Sequence, residues 1–103
     1  MKGGLPIESG KFFKVPNSIF EFSLKPSELT VYCCLCKFRN TKTNSCFPSR
    51  KTVAELCGVS VKTVDAALKR LCVLGLVQKR KRQGRKGNFY SNEYTIPNPG
   101  ERV

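Results

Sequence analysis

The stretch from Ser49 to Gly75 constrains this chain more than any other. Between Arg50 and Cys57, the residues Val53, Leu56 and Cys57 fall along one side of a helix. Ser49 precedes that run as an N-cap. Gly58 follows it, at the position where a left-handed backbone commonly ends a helix. Only Val59 then separates Gly58 from Ser60, a second N-cap. A further helix is predicted from about Val61 to Leu74, stopped by Gly75. At about 100° per residue, Val61, Val64, Ala67, Leu68, Leu71 and Leu74 share one side. Lys62, Ala66 and Lys69 stand opposite, flanked by Thr63 and Arg70.

The rest of the chain supplies what this helix pair packs against. Pro26 suits a first helical position, and Glu28 lies in the first turn, where the helix dipole favours an anion. Leu29, Tyr32, Cys33 and Cys36 recur at helical spacing after it, and Lys37 and Arg39 suit the C-terminal end. Upstream, residues 1–11 read as a loose arm and Phe12 to Pro16 as an edge strand. Asn17 to Phe22 read as a single helical turn, and Asn40 to Ser45 as a polar loop. Downstream, Leu76 to Arg82 reads as a strand, Gln83 to Asn88 as a turn and Phe89 to Ile96 as a second strand. Pro97 and Pro99 end it, and residues 97–103 read as a tail or linker. A short glycine-containing turn between two helices is the helix-turn-helix signature. Three helices followed by a β-hairpin give a mainly α fold with a small β-hairpin, a winged helix-turn-helix over residues 12–96.

Composition narrows the chemistry. The 103 residues suffice for one domain with one core. There is no histidine, which excludes Ser-His-Asp and Cys-His nucleophile systems and His-based metal sites. The few carboxylates show no paired spacing, and no phosphate loop is present, so no enzyme and no cofactor is expected. Six cysteines suggest a disulfide framework only in an exported chain, and no apolar signal segment precedes them. Nor does any stretch approach the ~20 apolar residues of a membrane span, so no membrane partner is expected and a cytoplasmic location is. Cys33-x-x-Cys36 is half of a zinc motif without a second half; reduced core thiols are the expectation.

Charge points to the partner. Lys plus Arg number 19 against 7 acidic residues, a net +12. Between Pro48 and Asn92 there are eleven basic and two acidic residues, and six of the eight from Lys79 to Lys86 are basic. In a strand Lys79 and Lys81 share one face and Arg80 and Arg82 the other, so neither is core and the segment must project. The Gly84-Arg85-Lys86-Gly87 tip suits approach to a nucleic-acid backbone or minor groove. A polyanion is the expected partner, and double-stranded DNA the first candidate. A major groove about 12 Å wide admits one helix, whose first exposed side chains meet base edges. Ser60, Lys62, Thr63, Asp65 and Ala66 hold those positions, with Lys69 and Arg70 further along. Lys62 suits guanine O6 or N7, and Thr63 a phosphate or a thymine methyl. Asp65 either reads cytosine N4 or stays in solvent. Ser49 and Arg50 open the preceding helix, where free N–H groups favour a phosphate. Each position also has a plain structural reading, as a cap or a solvated charge.

Several motifs carry a family resemblance. They are Cys46-Phe47-Pro48-Ser49, Ala54-Glu55-Leu56-Cys57-Gly58-Val59-Ser60 with Thr63-Val64, Leu71 with Leu74-Gly75-Leu76-Val77, and Asn92-Glu93-Tyr94-Thr95-Ile96. With them the chain resembles, over about residues 12–96, the winged helix domains of replication-initiation proteins of plasmids, phages and integrative elements. The N-terminal domain of DnaD-like proteins is among these, and many bacterial transcription regulators share the module. The resemblance implies duplex binding with the third helix in the major groove and the wing on the backbone or minor groove. It also implies service in replication initiation or transcription regulation, a location on the bacterial nucleoid, and a homodimer as one partner state. Two positions depart from the pattern. Lys25 stands where Ser or Thr usually precedes the helix-opening proline, and Ala66 where a basic residue is common. Two other readings stay open: RNA binding through the GXXG-like tip, and protein contact through Phe12, Phe13, Phe20 and Phe22.

Overall fold

The computed structural model describes residues 13–40, 42–81 and 92–97. A 3-10 turn, Asn17–Phe22, leads into α1 (Pro26–Phe38); β1 (Ser45–Cys46), α2 (Arg50–Cys57) and α3 (Val61–Val73) follow, then β2 (Gln78–Arg80) and β3 (Glu93–Thr95). The three helices pack on one another, and the strands form an antiparallel sheet in the order β1-β3-β2. Tyr94 is the middle of it, opposite Cys46 on one side and Lys79 on the other. The architecture is mainly helical with a small sheet, a winged helix-turn-helix.

The predicted helices form for the reasons their caps suggest. Gly58 adopts φ 71° and its N–H returns to the Ala54 carbonyl, so the α2–α3 turn is a left-handed helix ending. Gly75 adopts φ 79° after α3, and the Leu76 N–H bonds the Leu71 carbonyl at 3.0 Å. That closure drops Leu76 and Val77 into the core before the sheet begins. At α1 the cap position is Lys25, whose side chain has no acceptor. The Glu28 carboxylate takes over part of the task, accepting the Lys25 N–H at 2.8 Å.

The core runs through Val31, Tyr32 and Leu35 of α1, Val53 and Ala54 of α2, and Val64, Ala67, Leu68 and Leu71 of α3. Leu76, Val77, Tyr94 and Ile96 close it from the sheet side. Leu56, expected on the inner side of α2, is instead 56% exposed. Burial of the consecutive pair Val53 and Ala54 turns the inner face of this short helix away from it. Val61 also leaves the predicted buried stripe and lines a surface groove.

Three strand expectations change. Residues 13–16 form no strand: the Pro16 carbonyl accepts the Ile19 N–H at 3.1 Å, committing the segment to the 3-10 turn. The strand expected over Leu76 to Arg82 is only Gln78–Arg80, and Arg82 lies outside the described residues. Of the strand expected over Phe89 to Ile96, Glu93–Thr95 is seen, and residues 89–91 lie outside the described part. Ser45, the last residue of the predicted polar loop, instead joins Cys46 in β1. Asn44 turns the chain with φ 60° and its carbonyl accepts the Ile96 N–H at 2.8 Å, which brings Ser45 and Cys46 alongside β3.

All six cysteines are free thiols. Burial pushes Cys34 up to about 12 and Cys36 and Cys46 up to about 11, so all three stay protonated at neutral pH. Among the described residues no group of three or more metal-ligating side chains gathers. Among them, too, no helix is long and apolar enough to cross a membrane.

Candidate nucleic-acid interface

Helices α2 and α3 open with the same device. The Ser49 Oγ accepts the Thr52 N–H at 3.0 Å and donates to Thr52 Oγ1 at 2.9 Å. Ser60 does the same toward Thr63, at 3.1 Å for both bonds. Both serine protons are therefore engaged inside the caps. The threonine hydroxyls accept, so each keeps a proton to donate, although both residues are half-buried. Ser49 and Ser60 thus place the backbone, and their threonine partners carry the available donors.

Outward from the core, α3 exposes Lys62, Ala66, Lys69 and Val73. Their spacing is that of a single helical stripe. Val73, 75% exposed, completes this stripe; the sequence reading placed it on neither side of α3. Beside the stripe runs a groove of about 960 Å³. It is lined by Arg50 and Lys51 of α2, by Val61, Asp65, Lys69 and Val73 of α3, and by Lys79, Asn92 and Tyr94 from the sheet side. Lys51 and Asn92 also escaped the sequence reading.

The cations divide sharply by type. Each described arginine near this face sits by a carboxylate. Arg50 Nη1 donates to Asp65 Oδ2 at 2.7 Å, with both side chains about half exposed. Arg80 grips Glu93 Oε1 through Nη2 at 2.7 Å and Nε at 3.2 Å. Arg70 Nε lies 3.7 Å from Glu28 Oε1, whose side chain is only 8% exposed. This turns Arg70 onto the α1 flank of α3, out of the stripe. Lys51, Lys62, Lys69, Lys79 and Lys81, by contrast, are exposed and make no ion pair among the described residues. Asp65 is the partner of Arg50, whose pKa it raises by hydrogen bonding and charge. Exposed ion pairs of this kind add little net stability, so they are cheap to open. Arg82, Arg85 and Lys86 lie outside the described residues.

A three-helix core with a tight α2–α3 turn, an outward α3 stripe and an antiparallel wing defines a winged helix-turn-helix protein. The chain belongs to the family of the helix-turn-helix domain, whose profile matches residues 23–77, more than half of its length. That match runs from the approach to α1 to the residue before β2. DNA binding is the general function this membership supports. No curated protein matches the chain.

Proposed function

We propose that this protein binds duplex DNA, with α3 in the major groove and the β2–β3 wing on the adjoining backbone or minor groove. The observation that carries the reading is the convergence, from three elements, of exposed lysines that make no ion pair among the described residues. Lys51 of α2, Lys69 of α3 and Lys79 of β2 line the groove, and Lys62 stands on the α3 stripe beside it. Phosphate neutralisation by such a set supplies affinity on any sequence. Lys62 suits guanine, and Ala66 and Val73 suit thymine methyls, so the stripe supplies discrimination. The role is binding without catalysis, in replication initiation or transcription regulation of a bacterial or mobile element; the replication-protein motifs support that context.

Titration of duplex binding against salt tests the reading. The expected log–log slope is about −5 or steeper, for six or more neutralised phosphates. A flat slope, or stronger binding to single-stranded RNA than to duplex DNA, contradicts it. Selection of bound sites from a random duplex pool addresses the biological role, and a palindromic result reports a dimer.

A further inference from the structure

Asp65 is out of place on a face built for phosphate. It is one of two acidic residues between Pro48 and Asn92, and it lines the groove together with Lys51, Lys69 and Lys79. Its Oδ2 holds Arg50 at 2.7 Å. Its Oδ1 makes no hydrogen bond among the described residues, and the side chain is half-exposed. The pair joins the first residue of α2 to the second turn of α3, fifteen residues apart.

A carboxylate only accepts hydrogen bonds, and phosphate oxygens only accept, so Asp65 cannot bind a DNA backbone. While the pair is closed, it also withholds the charge of Arg50 from that backbone. The donors a major groove offers to an acceptor are the amino groups of cytosine and adenine. Adenine sets its amino group beside the N7 acceptor, which repels a carboxylate; cytosine does not.

We infer that the Arg50–Asp65 pair is a specificity-determining device, in which Asp65 lowers affinity for every duplex and recovers the loss only where cytosine N4 meets its free oxygen. The inference rests on the DNA-binding reading above. A simple clamp between α2 and α3 would have a different signature, a loss of stability with no change in sequence preference.

The test compares the full chain with D65N, R50Q and the double variant, each first matched for thermal unfolding midpoint. D65N keeps the side-chain shape while removing the charge. On random-sequence duplex it should bind about fivefold tighter or more, with a salt slope steeper by about one as Arg50 is released. R50Q should bind the same duplex more weakly, and R50Q/D65N should return close to the parent. Sites selected by the parent should carry a C·G pair that sites selected by D65N do not. If the parent binds duplex with a steep slope but D65N gains nothing, or keeps the cytosine preference, the proposal is overturned alone. If the parent binds no duplex, the DNA-binding reading falls and the proposal with it.

Discussion

The two flanks of α3 carry similar side chains and use them in opposite ways. On the α1 side, Thr63 is folded into a cap and Arg70 lies against the buried carboxylate of Glu28. On the groove side, Lys69 is exposed and makes no ion pair among the described residues, and Asp65 holds its arginine in the open. The Glu28 carboxylate also accepts the Lys25 N–H, so that flank fixes the fold. The difference shows that a count of basic residues overstates an interface. What matters is which cations remain unpaired, and on this face, among the described residues, those are the lysines.

Breaking the common core removes both flanks at once and gives the largest effect. Leu71 is fully buried, and Leu71→Ala should lower stability by about 2–5 kcal/mol in urea unfolding. The structural side should also fail first in alkali. A thiol whose pKa rises on folding keeps its proton longer in the native state than in the unfolded chain. The contribution of Cys34, Cys36 and Cys46 is therefore intact below about pH 9 and lost as pH rises through 11 to 12. Under reducing conditions the urea midpoint should fall between pH 8 and 10.5; a constant midpoint would show that these thiols ionise freely.

The groove side responds in the other observable. Joint replacement of Lys62 and Lys69 by Ala should weaken duplex binding by about tenfold or more and flatten the salt slope by about two. Stability should stay within about 0.5 kcal/mol, as for exposed sites. Glu28→Gln inverts this pattern: a loss of about 1–2 kcal/mol, from a weakened cap and an unpaired Arg70, with no change in salt slope. The smallest effect is expected from Arg70→Ala, under about twofold in duplex binding. A tenfold loss there would erase the distinction between the flanks.

Local chemistry made the helical frame legible in the sequence. Gly58 and Gly75 stop helices because each occupies a left-handed backbone, and Ser49 and Ser60 start them because each bonds the N–H three residues on. The buried stripe of α3 followed from periodicity, apart from Val61 at its first turn. Distant partners hid the rest. β1 exists because Asn44 and Ile96 meet across half the chain, and two residues carry no periodicity to detect. Leu56 reads as core until the packing of Val53 and Ala54 turns its helix. At the site, the sequence placed Lys62, Ala66 and Lys69 on one stripe but left Val73 off it. The pairing of Arg50, Arg70 and Arg80 was invisible, because each carboxylate comes from another element.

The most direct test of the central claim follows backbone amide shifts of the labelled protein as a short duplex is added. The account predicts that Lys51, Lys62, Ala66, Lys69, Val73 and Lys79 move together and saturate at one concentration. It predicts that Thr30 and Lys37, exposed on α1, stay still. Movement centred on α1, with the α3 stripe unaffected, would contradict it.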